Sequence, residues 1–189
     1  YGKTKIDLSN METETVKKTE VWFDEITNEC LELIEVKAKD YGDSWKIFRP
    51  SSLTDQIFIK AKRIRAIQET RKNLVGDPID KEFVGIFNYS LMAIYKLGKH
   101  EKEGKDMEFF RTEIGNIREL LLKKDHDYGS AWRELRICSI TDLILAKLLR
   151  LRQIEANNYA VTSSEHALAS YQDIINYCVF SLIHINLQN

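Results

Sequence analysis

The chain of 189 residues carries 28 Lys and Arg against 29 Asp and Glu, a formal charge of -1, so no global field gathers nucleic acid or an anionic membrane. With 43% apolar and 30% charged residues it is too hydrophobic for a disordered chain and suited to a globular core. Eight Gly and two Pro are too few to punctuate many short strands, which excludes sandwiches and barrels and favours long helices.

Residues 1–15 read as a tail, and the first helix is expected over 16–39. Phe23, Ile34 and Ala38 share one of its faces, while Glu25, Glu29 and Glu32 lie opposite, as a solvated face rather than a metal site. Asp40-Tyr41-Gly42 follows, with Gly42 placed to end the helix in a left-handed conformation rather than to cradle phosphate. A second helix is expected over 53–73, opened by a capping pair, Ser52 and Asp55. A third, over 80–97, is apolar nearly all round and therefore central. The charged, Gly-containing stretch 99–105 reads as a linker. Helices over 106–125, 140–157 and 165–187 complete the chain, with Gly129 and the Ser139 and Asp142 pair in the roles of their earlier counterparts.

This second half repeats the first. Asp40 to Ile67 aligns without a gap on Asp127 to Ile154, 87 residues later, and thirteen of the 28 positions are identical. The match reaches back through Lys37 and Lys124 and, with one extra residue, forward to Asn88-Tyr89 and Asn176-Tyr177. The expected architecture is all-α: a six-helix bundle built from a tandem three-helix unit, 16–98 and 106–189, packed as one domain. Each unit alone is too small to cover its own apolar third helix.

The cysteines, Cys30, Cys138 and Cys178, are widely spaced and read as free thiols of a reducing compartment. The four histidines form no HxxxH pair, which argues against a zinc hydrolase. No signal-peptide pattern opens the chain, and the uncharged run 174–189 is too short and polar to span a bilayer. A cytoplasmic protein without a membrane partner is expected.

Candidate functional residues stand where the patterning breaks. Lys60 lies inside the stripe of Leu53, Ile57, Ile64 and Ile67, and Lys147 inside the matching stripe, with Arg63 and Arg150 on the borders. A lysine so placed pairs with a carboxylate, snorkels to water or meets a bound anion. A structural salt bridge and phosphate binding both fit. Glu113 and Lys124 fall in the stripe of Phe110, Ile117 and Leu121, with Asp127 at its edge. Asp173 is the acid expected to be buried on the last helix, and Gly85 takes its place in the first unit. Tyr41, Trp45, Tyr128 and Trp132 could stack a base, or close the end of the bundle.

DYGxxW, then SxTDxIxxKxxRxRxI, then a helix bearing NY, twice in tandem, resembles nucleotide modification associated domain 1, in the duplicated form found in Bacteroidetes bacteria. The resemblance covers about 29–97 and 113–187. It implies a distant similarity to all-α nucleoside triphosphate pyrophosphatases of the MazG and dimeric dUTPase type, in which helix-borne acids hold Mg²⁺ and basic residues hold the phosphates. On that basis Asp127 and Asp173 are the catalytic candidates, joined by Glu113 as metal ligands and by Asp40 as a further acid. Lys60, Arg63, Lys147 and Arg150 are the phosphate candidates, and Asn88 and Asn176, with the four aromatics, the polar and base contacts. The implied ligand is a nucleotide or another phosphorylated small molecule, with Mg²⁺ as cofactor if the site is catalytic. No EExxE and no ExxD motif is present, so the MazG metal signature is missing. The alternative is a non-catalytic interaction module, its lysines in salt bridges and its apolar third helices supporting self-association into a homo-oligomer.

Overall fold

A computed structural model describes residues 8–98, 105–128, 130–157 and 161–188, with side chains from residue 18 in the first segment and from 165 in the last. Six helices follow in order: α1 Leu8–Tyr41, α2 Pro50–Thr70, α3 Ile79–Leu97, α4 Asp106–Asp127, α5 Ile137–Ala156 and α6 Val161–Gln188. Single 3₁₀ turns, Ser44–Ile47 and Ala131–Glu134, precede α2 and α5. The all-α tandem architecture is as expected. Helix α1 begins at Leu8, so residues 8–15 extend the helix rather than forming part of a tail. Residues 1–7, most of the linker and Gly129 lie outside the described residues.

The starts of α2 and α5 correct the capping reading. Arg49 and Arg136 are the N-cap residues, neither makes a side-chain cap bond, and Pro50 occupies the first turn of α2. Proline's fixed φ suits that turn, and its missing N–H leaves no donor unsatisfied there. Both helices therefore start two residues before the serines of the Ser-x-x-Asp pairs. Gly42, by contrast, does take φ +56 and sends its N–H back to the Ala38 carbonyl at 2.9 Å, ending α1 as expected.

Every helix packs on its own counterpart from the other repeat: α1 on α4, α2 on α5 and α3 on α6. Phe83, Ile86, Phe87 and Leu91 of α3 and Tyr171, Ile174, Ile175 and Val179 of α6 are fully buried, which is why these helices are apolar nearly all round. The two repeats share one core.

The α2/α5 contact carries the aspartates that the capping reading misassigned. Asp55 accepts from Arg152 at 2.7 Å, and Asp142 lies 3.7 Å from Arg65, the repeat-related pair. Beside them Thr54, fully buried, bonds the Glu155 carboxylate and lies 2.6 Å from the Tyr171 hydroxyl. At the related place Thr141 accepts from Gln68 at 3.0 Å, with Phe83 where Tyr171 would be. The first junction is charged and the second neutral. Thr54→Val, which removes a fully buried hydroxyl bonded to both a carboxylate and a hydroxyl, is expected to cost about 1–3 kcal/mol in urea unfolding, and Thr141→Val about 0.5–1.5 kcal/mol.

Cys30 and Cys178 are buried and Cys138 is exposed, all three as free thiols. Burial, reinforced by the charge of Glu29, pushes the Cys30 thiol up to about 12, and burial raises Cys178 as well. Since the thiolate is the reactive form, a thiol-exchange reagent at neutral pH should titrate one cysteine in the folded protein and three after denaturation.

Candidate functional site

The helix–DYG–3₁₀ segment of each repeat leans over the middle of that repeat's third helix, leaving a cleft. In the first repeat Lys37, Tyr41, Trp45, Lys60, Asn88 and Tyr89 line about 460 Å³. In the second, the related Lys124, Tyr128, Trp132, Asn176 and Tyr177 line about 380 Å³, together with Asp125 and Asp173. Both volumes suit a small-molecule site.

The repeat-related lining residues have similar environments. Tyr41 and Tyr128 stand at the rims, 71% and 74% exposed, so their ring faces are open to a ligand. The tryptophans pack inward instead. Trp45 meets Tyr95 edge-on at 5.3 Å, and Trp132 stacks on Phe180 at 4.3 Å between ring centres. They close the bundle end, and the tyrosines remain as the stacking candidates.

Asn88 and Asn176 are 7% and 6% exposed, and the Oδ1 of each is buried with no hydrogen-bond partner. A buried carboxamide oxygen without a donor is a cost that folded proteins seldom leave in place. Here the same cost recurs in both repeats, at the wall of both clefts.

The lysines of the apolar stripes meet carboxylates, as the salt-bridge alternative expected. Lys147 lies 2.7 Å from Asp173, which Lys124 also approaches at 3.4 Å. In the first repeat the acid has moved one helical turn: Lys60 lies 3.1 Å and Arg63 2.6 Å from Glu82. Gly85 makes that possible, because a Cβ there would sit 2.8 Å from the Lys60 Cε. The Lys60 stem crosses the bare glycine to reach Glu82. Sequence reading missed Glu82, although its position three residues before Gly85 puts it on the same helix face. Arg63 is further engaged by Asn73 and the Asp77 carbonyl at 3.0 and 3.1 Å, tying down the α2–α3 loop. Arg150 is exposed and outside the cleft wall.

The expected acids are not brought together. Asp40 and Asp127 are exposed, with Asp127 3.3 Å from His126, and neither lines a cleft. Asp173 is half-buried rather than buried. Glu113 is buried, but it accepts from Gln172 at 2.8 Å and from Asn116 at 3.3 Å, away from the cleft wall. Among the described residues no group of three acidic, His or Cys side chains could hold a metal. The buried acid of this region is Asp125, 3% exposed, which sequence reading passed over for Asp127. The stripe of Ile117 and Leu121 continues by four to Asp125, and that spacing was the available signal. Lys124, expected in the stripe, is exposed.

The structure thus defines an all-α protein of two fused, repeat-related three-helix units, each with a cleft walled by Lys, Tyr and a buried Asn. Residues 37–97 and 124–185 match the family described as nucleotide modification associated domain 1, and the chain belongs to that family. No curated protein and no solved structure matches it. Among the described residues no helix is long and apolar enough to cross a membrane.

Asp173 holds the Lys147 ammonium above its ordinary value, mainly through their hydrogen bond and against the opposing effect of burial. A pKa raised on folding stabilises the folded state fully below the unfolded value of 10.5, and that stability is lost as pH rises through the folded value. The stability difference between wild type and Asp173→Asn should therefore be flat from about pH 7 to 9 and shrink above about 10.5 in urea titrations.

Proposed function

We propose that the protein binds nucleotides without hydrolysing them, one in each repeat-related cleft. The observation that carries this reading is the buried, unpartnered Oδ1 of Asn88 and of Asn176, repeated beside an exposed tyrosine ring and a lysine. A nucleobase offers what that arrangement lacks: a flat face for Tyr41 or Tyr128, and N–H groups for the carboxamide oxygen.

The phosphates fall to Lys37 and Lys124 rather than to the predicted Lys60, Arg63, Lys147 and Arg150. Lys60, Arg63 and Lys147 are held by carboxylates. Lys37 is exposed on the first cleft's wall and makes no ion pair with a described residue; Lys124 has only the long contact to Asp173. Either ammonium can turn to an anion at little cost.

Pyrophosphate hydrolysis of the MazG kind asks for carboxylates gathered around Mg²⁺. The residues here do not fit such a centre. Asp173 is neutralised by two lysines, Asp127 is exposed outside the cleft, and Glu113 is bonded to amides elsewhere. No hydrolytic step is assigned.

Calorimetric titration with nucleoside triphosphates should show two sites per chain, with affinity falling as salt screens the phosphate contact. Lys37→Ala and Lys124→Ala should each weaken one site about tenfold, the scale of a charge-assisted hydrogen bond. An absence of binding across all common bases would overturn the reading, and steady pyrophosphate release with Mg²⁺ would overturn its non-hydrolytic part.

A further inference from the structure

The two clefts differ at one decisive place. Where the first has Ala38, the second has Asp125, whose carboxylate is buried in the cleft wall. One of its oxygens, Oδ1, accepts from the Trp132 indole N–H at 2.8 Å. The other, Oδ2, is buried with no hydrogen-bond partner, the Arg133 charge acting on the carboxylate only through space. Asn176 Oδ1, also unpartnered, is on the same wall. The second cleft therefore carries two unsatisfied acceptors, one of them anionic, where the first carries one.

Two acceptors select against most nucleobase edges. Thymine and uracil present one ring N–H between two carbonyl oxygens, which a carboxylate repels, and hypoxanthine presents one ring N–H with a C–H where a second donor would be. Adenine and cytosine present an amine next to a ring nitrogen acceptor. Guanine alone among the common bases presents a ring N–H next to an exocyclic amine, so that two adjacent positions of its edge are both donors. Such an edge offers a carboxylate and a carboxamide oxygen of the same wall their missing bonds, and charge-assisted bonds of this sort are the stronger class. The surroundings suit a purine: Trp132 and Phe180 form a stacked pair in the wall, Leu121, Leu135 and Leu143 add apolar surface, and Tyr128 is open at the rim.

Building on the nucleotide-binding reading above, we infer that the second cleft is specific for guanine nucleotides, with Asp125 as the residue that reads the base, and that the first cleft is permissive. The indole N–H of Trp132 makes the assignment testable by a single isosteric change. In Asp125→Asn the carboxamide oxygen must face Trp132, because only an acceptor can meet that donor. The NH₂ then stands where Oδ2 stood. An acceptor becomes a donor, and the preferred base should change from guanine to xanthine, which has a carbonyl in place of the exocyclic amine.

The test is calorimetric titration of the full chain with GTP, ITP and XTP. In the wild type GTP should fill two sites, one of which is weakened about tenfold to a hundredfold with ITP, which lacks only the amine, and with XTP. In Asp125→Asn the same site should lose GTP by a similar factor and favour XTP, with a circular dichroism melt confirming the fold. The ITP comparison needs no variant, so a variant that failed to fold would not spare the proposal. Binding of all three nucleotides with equal affinity, or an unchanged preference in Asp125→Asn, would overturn guanine recognition while leaving nucleotide binding intact; ordered water would then be what satisfies Oδ2. If no nucleotide bound, both readings would fall.

Discussion

Neither repeat can bury its own third helix. Phe83, Phe87 and Leu91 on α3, like Ile174, Ile175 and Val179 on α6, are fully removed from water in the assembled chain, and α3 and α6 lie against each other. An isolated three-helix unit would leave much of that surface wet, at about 25 cal/mol per Å² of apolar area. This mutual burial places like against like throughout: α2 meets α5 and α1 meets α4. The clefts then follow, because the segment after α1 and the segment after α4 must each turn over the third helix of its own repeat.

Duplication on such a frame permits divergence without loss of fold. Each stripe lysine retains a carboxylate, but Asp173 serves in one repeat and Glu82, a turn earlier, in the other, with Gly85 clearing the route. The charged junction of Thr54, Glu155 and Tyr171 faces a neutral one of Thr141 and Gln68. In the clefts the shared Lys, Tyr and Asn are retained, while Ala38 and Asp125 differ. The parts that hold the halves together have been rebalanced, and the cleft walls differ by an alanine in one copy and a buried aspartate in the other.

Much of this was legible in the sequence, and the failures have physical causes. The repeat, the six helices, the Gly42 cap and the anomalous lysines could be read because they rest on local spacing. The Ser-x-x-Asp pairs resemble helix starts, yet their aspartates serve Arg152 and Arg65 across the bundle, contacts between residues 97 and 77 positions apart. Asp127 is marked by the repeated DYG motif and by the edge of the stripe, whereas the i, i+4 spacing from Leu121 leads to the buried Asp125. Glu82 sits in an ordinary-looking acidic first turn of α3, and its spacing from Gly85 gives the helix face but not the Lys60 that reaches it from α2. The unpartnered oxygens of Asn88 and Asn176 depend on what every neighbouring helix fails to offer, and no pattern in one dimension encodes that.

The central claim is that these asparagines are the floor of two ligand sites. Their side-chain amide resonances report on it directly, each identified by substituting the residue with serine. On addition of a guanine nucleotide to the folded, isotopically labelled chain, both amide pairs should shift, as the carboxamides gain the donors they lack. If the nucleotide binds and neither pair moves, the clefts are packing defects of the bundle and the ligand lies elsewhere.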